Sequence, residues 1–257
     1  MLSYQHAYHA GGPADLHKHM ALAGLLERLC RKPRPISVFE THAGRGLYDL
    51  DAPESARTGE AAEGIDLIPP PAPDTPFGRA LAATRAAHGP RAYPGSPLIA
   101  RSLLRAHDPL TLFELHPTEH AALSRAMTGE NTVIRKRDGF AGLLSIAPPK
   151  PRQGLVLVDP SYEVKDEYAA TARFVRALLG QWSEAVVMVW YPLLPARRHE
   201  ALIEGLSRLP VLRDEVGFTL KDGKGMTGSG LLILNAPSLA GKIFDEVRAQ
   251  APILRRL

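Results

Sequence analysis

The chain has 257 residues, 45% hydrophobic and 23% charged, with one cysteine and a formal charge of +4. That length and apolar share suit one large or two modest globular cores, and a single cysteine excludes an internal disulfide framework and a cysteine-based zinc cluster within the chain. The positive charge permits nucleic-acid binding without requiring it. The opening "MLSYQHAYHAGG" is polar where a signal peptide would be apolar, and no apolar run reaches the length of a membrane span, so a cytoplasmic protein with no membrane partner is expected.

Taken in chain order, Leu16, Met20, Leu22, Leu25, Leu26 and Leu29 recur at helical period, and Pro33 and Pro35 end that helix. "ISVFE" reads as the first strand, followed by the small-residue turn "THAGRG". Residues 48–93 include a proline-dense stretch and an alanine-rich helix around Arg79 to His88, and read as a helical insertion within a single domain, 1–257. "PGSPLIARSLL" opens a helix, with Ser96 and Pro97 where a cap and a first-turn proline belong. Strands "LTLFEL", "NTVIRKRD", "GLVLVD" and "AVVMVWY" then alternate with helices over Thr118–Met127, Tyr168–Leu179 and Ala196–Leu209. A last pair, "DEVGFTL" and "GSGLLILN", is joined by a glycine-rich turn. The alternation predicts an α/β fold, a mostly parallel, doubly wound, Rossmann-like sheet with an antiparallel last strand.

In such sheets ligands bind outside the carboxyl ends of the strands, and acids stand at those ends. Gly44 and Gly46 after the first strand allow close backbone approach to a ligand. Glu114 ends the second strand, where a carboxylate can accept both ribose hydroxyls of an adenosine-type ligand. The third ends in Asp138-Gly139, where a carboxylate can accept from an adenine amino group. Each acid taken singly also reads as a solvated strand-end residue.

The fourth strand ends in "DPSYE". An exocyclic amino nitrogen on adenine is a poor nucleophile, because its lone pair is delocalised into the ring. Two acceptors that hold its hydrogens help it pyramidalise: the Asp159 carboxylate and the Pro160 carbonyl. Tyr162 offers a flat face for a flipped base. The turn therefore suits methylation of an amino group, against the plainer reading of Asp-Pro-Ser as turn chemistry. His6, His9, His17, His19 and His42, with Asp15 nearby, raise the alternative of a metal. No carboxylate or cysteine completes a recognised ligand spacing, and histidines that hydrogen-bond a polar ligand or rest at a surface are expected instead of a metal site.

The runs "MLSYQHAYHAGGPADLHKH", "THAGRGLY", "RTGE", "YPGSPLIAR", "ELHP", "DGF", "DPSYE", "WYP" and "GMTGSG" together resemble the bacterial 23S ribosomal RNA adenine-N6 methyltransferase family, RlmJ, over nearly the whole chain. The resemblance implies a class I methyltransferase fold with S-adenosylmethionine as cofactor. It places cofactor binding on His19, His42, Ser96, Glu114, Asp138, Gly139 and Asp159, with Gly44 beside them, and catalysis on Asp159. It brings Tyr4, His6 and Lys18 to the target base, along with Tyr162. The implied substrate is one adenine of 23S rRNA, protein-free or early in assembly, methylated by a monomer through direct transfer to a flipped-out base. Two positions depart from the family's usual pattern: Ser161 stands where a second proline is usual, and Gly12 where asparagine is usual. The Pro160 carbonyl survives the first change, but the stiffness that a following proline imposes is lost. The competing readings are a DNA adenine-N6 methyltransferase, a non-enzymatic nucleic-acid-binding relative linked to use of external DNA, and a histidine metal hydrolase.

Overall fold

The computed structural model describes residues 6–127, 129, 131–219 and 225–257. Strands β1 (Ser37–Glu40), β2 (Leu47–Asp49), β3 (Ala92–Pro94), β4 (Leu110–Phe113) and β5 (Thr132–Arg135) are followed by β6 (Gly154–Val158), β7 (Val186–Leu193), β8 (Val211–Gly217), β9 (Gly228–Leu234) and β10 (Arg255–Arg256). After a short 3₁₀ turn at His6–Tyr8, the helices are α1 (Pro13–Cys30), α2 (Pro53–Thr58), α3 (Glu60–Glu63), α4 (Pro76–His88), α5 (Ser96–Leu103), α6 (Pro117–Ala126), α7 (Gly139–Leu144), α8 (Glu167–Gln181), α9 (Glu200–Leu206) and α10 (Ala240–Gln250).

The main sheet runs β10-β8-β9-β7-β6-β1-β4-β5. The block from β7 to β5 is parallel, as expected of strands that are apolar on both faces, and β6 and β7 are buried along their whole length. β9 is antiparallel to β7 and to β8. A short β10, which the sequence reading did not anticipate, adds a third antiparallel pairing at the edge.

Chain order reverses between β1 and β6, so the crevice for a ligand lies beyond the carboxyl ends of those two strands. Glu40 is in register with Leu112 of β4 and Leu157 of β6, and Glu114 and Asp159 therefore emerge two residues beyond its level on either side.

Helix α1 is buried on nearly every side, including Asp15, His17, Lys18 and His19, and packs against α4, α5, α10 and strands β7 and β9. A helix so enclosed needs partners for its polar groups, and those partners build the site. The expected insertion hangs on an antiparallel ribbon: Leu47 pairs with Pro94 and Asp49 with Ala92, and α2 to α4 lie between these strands.

Three local expectations are corrected. β4 and β5 stop at Phe113 and Arg135, so Glu114 and Asp138 lie in the loops beyond them. Asp138 caps α7, its Oδ1 accepting from the Ala141 N–H at 2.7 Å. The cap of α5 is Gly95, not Ser96, whose hydroxyl donates to Glu40 instead.

Candidate active site

A cavity of about 350 Å³ opens at the carboxyl ends of the parallel strands. Its wall includes His6, Lys18, His19, His42, Gly44, Ser96, Glu114, Asp138, Gly139, Asp159, Pro160 and Tyr162, which are all the expected site residues that the structure describes. Tyr4, the remaining one, lies outside the described residues.

The centre of the wall is the turn after β6. Leu155 to Val158 are buried, which drives the strand into the core and delivers Asp159 to its rim. Lys18 Nζ donates to Asp159 Oδ2 at 2.7 Å and lies 3.2 Å from Asp15 Oδ1. Burial pulls the Lys18 ammonium toward neutrality, but the two carboxylates outweigh it and hold its pKa above the ordinary range. A residue expected at the target base is thus bound, in this state, to the carboxylate expected to do the chemistry.

Tyr162 follows in the left-handed region at φ 55, a conformation that costs a bulky residue energy and needs outside support. The ring stacks on Tyr168 at 4.4 Å, and its hydroxyl donates to the Trp190 carbonyl at 2.9 Å. With one face taken by Tyr168 and the residue 3% exposed, the open flat platform expected of Tyr162 is largely covered.

Asp15 organises the N-terminal side. It accepts from the Gly11 N–H at 3.0 Å and bonds His6 Nε2 at 3.0 Å, with Lys18 and His19 close by. Burial raises its carboxyl, and His6, His19 and Lys18 overcome that to hold its pKa well below the usual range. The N-terminal histidines have separate partners: His6 has Asp15, His9 has Glu60, His17 has Ser229 and Asp214, and His19 Nδ1 has the Tyr93 hydroxyl at 2.9 Å. Gly12 is the N-cap of α1 and supplies no side-chain bond, and a Cβ there would meet Glu60 Oε2 at 2.7 Å.

On the opposite side, Glu114 accepts the Gly44 N–H on Oε2 at 2.8 Å and the His116 N–H on Oε1 at 2.7 Å. These bonds fix the carboxylate while leaving lone pairs for two hydroxyls. Gly44 has φ +64, and a Cβ there would meet the Tyr48 hydroxyl at 2.8 Å. At Gly139 a Cβ would lie 2.0 Å from the Thr41 carbonyl, so the loops after β1 and β5 touch backbone to backbone. His42 bonds Thr41 Oγ1 at 2.8 Å and sets its ring edge-on to Phe140. Burial lowers the pKa of His19 to about 3 and of His42 to about 4, so both rings are neutral near pH 7.

Glu40 was read from sequence only as a strand end. It is 1% exposed; Oε2 accepts from Ser96 Oγ at 2.6 Å, while buried Oε1 has no hydrogen-bond partner among the described residues. Burial, with Asp159 nearby, pushes its pKa up to about 8. The site therefore has carboxylates for a ribose and an amino group, backbone N–H groups, neutral imidazoles and a cationic lysine. That donor and acceptor set fits an adenosine-containing cofactor.

A family model described as "Ribosomal RNA large subunit methyltransferase D, RlmJ" matches residues 33–256. The chain belongs to the RlmJ family. Two curated relatives, each named ribosomal RNA large subunit methyltransferase J, are similar over 92% of this chain and 88% of their own length. The one from Escherichia coli is 36% identical over 246 residues and the one from Haemophilus influenzae 35% identical over 247. A crystal structure of a Legionella pneumophila protein superposes with a TM-score of 0.81 at 30% identity, covering 94% of each chain. The human methyltransferase 10 domain containing protein shares the fold alone, with a TM-score of 0.50 at 10% identity over 88% of this chain and 83% of that one. The RlmJ fold here is the expected Rossmann-like class I methyltransferase fold, and S-adenosylmethionine is the RlmJ cofactor.

Proposed function

We propose that this chain transfers a methyl group from S-adenosylmethionine to N6 of one adenine in 23S rRNA, with Asp159 and the Pro160 carbonyl as acceptors for the amino group. Membership of the RlmJ family makes the chain an S-adenosylmethionine-dependent rRNA methyltransferase. The observation that carries the finer reading is the Lys18–Asp159 ion pair at the rim of the cavity, beside Pro160.

When bound, the cofactor supplies an electrophilic methyl group. Glu114 would accept from its ribose, Asp138 and Gly139 would meet its adenine, and His19, His42, Gly44 and Ser96 would complete its pocket. Lys18 holds Asp159 through Oδ2, which leaves Oδ1 to accept one hydrogen of the target amino group while the Pro160 carbonyl accepts the other. With both hydrogens held, the nitrogen lone pair is directed out of the ring plane. Positioning then supplies most of the rate. The proton released after transfer passes to Asp159 or to water. His6, Lys18 and Tyr162 lie around the base, with Tyr4 proposed to join them.

A pocket this deep takes a base only after it leaves its stack, which favours protein-free or early-assembly rRNA as substrate. Among the described residues no helix is long and apolar enough to cross a membrane, and ribosome assembly would place the reaction in the cytoplasm.

Labelled cofactor offered with protein-free 23S rRNA, with DNA of matching sequence and with no nucleic acid tests this. Transfer to the rRNA alone is expected. Equal transfer to the DNA would replace the substrate. In parallel, S-adenosylmethionine should raise the melting temperature by mass action where NAD does not, and equal shifts for both would overturn the cofactor assignment.

A further inference from the structure

Behind the cavity wall five polar side chains, far apart in sequence, form a single hydrogen-bonded line. Trp190 Nε1 is 2.9 Å from Ser229 Oγ, which is 2.9 Å from His17 Nδ1. His17 Nε2 is 3.1 Å from Asp214 Oδ2, and Arg248 Nη1 reaches both Asp214 oxygens, at 2.6 and 2.9 Å. Strand register explains the meeting: Leu231 of β9 is paired with both Trp190 of β7 and Asp214 of β8, and Ser229 lies two residues along β9 on the same face. His17 comes down from α1 onto that face.

The direction of every bond can be assigned from the groups present. An indole N–H only donates, so Ser229 Oγ accepts from Trp190. Burial lowers the pKa of His17 and outweighs the pull of Asp214, so the ring is neutral. Burial raises Asp214, but bonds from His17 and Arg248 hold its carboxyl below its usual range, so it only accepts. His17 therefore carries its proton on Nε2 and gives it to Asp214, and the Ser229 hydroxyl donates to His17 Nδ1. All members of the line are satisfied: donation runs from the indole through Ser229 and His17 to Asp214, and Arg248 donates to the same carboxylate from the other side. Such a network specifies one geometry, because any member that turns leaves a buried polar group unpaired. The serine, histidine and aspartate here form no nucleophilic triad: Ser229 is fully buried and outside the cavity wall.

The line terminates on the one residue among these that lines the cavity. Trp190 is 8% exposed against 3% for Tyr162, and the two rings meet at 51° with centroids 6.1 Å apart, so they are tilted and not stacked on one another. The Lys18 ammonium stands 5.4 Å from the centre of the indole ring while it holds Asp159. The carboxylate and the ring are thus one ammonium apart, and a flat base whose amino group reaches Asp159 has its ring system beside Trp190. A ring needed only as core filler would pack equally well without a nitrogen to satisfy; here an aligned chain fixes its rotation.

We propose that Trp190 is the aromatic wall against which the target base rests, and that Ser229, His17 and Asp214 are positioning residues that hold it there. This rests on the adenine reading above. For Trp190→Leu, kcat/KM for 23S rRNA should fall by roughly 10-fold or more, carried mainly by KM, while Trp190→Phe, which keeps a ring but not the nitrogen that the line holds, should lose less than Trp190→Leu and raise KM about as far as Ser229→Ala does. S-adenosylmethionine affinity should be unchanged in both. Ser229→Ala and His17→Gln should raise KM with the indole still present.

A readout independent of turnover uses 5-fluorotryptophan in the whole chain, whose two tryptophans, Trp182 and Trp190, give two fluorine resonances assigned with Trp190→Phe. With S-adenosylhomocysteine saturating the cofactor pocket, adenosine monophosphate should move the Trp190 resonance and uridine monophosphate should move it less. Ser229→Ala should broaden that resonance before any nucleotide is added. Unchanged KM in Trp190→Leu, or a Trp190 resonance indifferent to adenosine monophosphate, would overturn the wall. An unchanged Trp190 resonance and KM in folded Ser229→Ala and His17→Gln would overturn the positioning line. If the parent protein methylates no 23S rRNA, the adenine reading fails, and the nucleotide titration still decides whether Trp190 meets a base.

Discussion

The chemistry assigned to Asp159 depends on a lysine that the sequence reading assigned to the substrate. Lys18 is 4% exposed in its side chain and is shared between Asp159 and Asp15. Replacing it by methionine keeps the stem and removes the charge that both carboxylates face. Breaking a buried pair in this way costs about 3–5 kcal/mol, so Lys18→Met should lower stability in denaturant unfolding by an amount of that order, well beyond a surface change.

Glu40 gives a second residue-level expectation, in pH. Its pKa is raised in the folded chain from 4.5 to about 8, so its contribution to stability is full below 4.5 and is lost as pH rises through 8. Glu40→Gln keeps an acceptor for Ser96 and removes that loss. Thermal melts from about pH 5 to about pH 8 should show the variant gaining on the parent as pH rises; a constant difference would contradict the assignment. His19 and His42 act on the other limb. Their folded pKa values, about 3 and about 4, lie below the ordinary 6.5, so their contribution is full above 6.5 and is lost as pH falls.

Among the elements, the apolar runs that became β1, β4, β6 and β7 were legible because strands covered on both faces carry little else. The short pieces were not. α7 spans six residues and β10 two, too few for any period to register, and they exist because Asp138 caps one and Gly217 and Val216 pair with the other. α10 was missed although Ala240, Ile243, Phe244 and Val247 are spaced as a helix, since the reading stopped at the last strand. Ser96 looked like a cap by composition alone; its hydroxyl went to a carboxylate 56 positions earlier. Asp138 caps α7, a role that was not weighed for it, and the cofactor contact expected of it can be tested apart from that cap. Asp138→Ala should cost about 1 kcal/mol of stability through the lost cap and also weaken S-adenosylmethionine binding. Asp138→Ser should recover the stability, because a serine caps as well, but not the affinity. Calorimetric titration beside unfolding checks this, and full recovery of both by serine would leave Asp138 as a cap alone.

For the molecule as a whole, the convergence of the candidate residues on one cavity was readable in the sequence and the wiring between them was not. Acids at strand ends pointed to one rim, and every described candidate lines one cavity. The contacts that set their states join positions 18 and 159, 15 and 6, and 17, 214 and 229, distances in sequence that no local spacing encodes. The fold brings them together because α1 is buried across the sheet and must find a partner for each polar group it carries inward.

The central claim is that this cavity holds an adenine amino group between Asp159 and the Pro160 carbonyl. Its most direct test is nucleoside mass spectrometry of protein-free 23S rRNA after a single turnover with the parent chain and with Asp159→Ala. The account predicts one N6-methyladenosine per rRNA from the parent, and from the variant a rate lower by roughly 10²-fold or more at little-changed RNA affinity. A methyl group on another base or on a ring nitrogen of adenine, or a variant that turns over at the parent's rate, would contradict it.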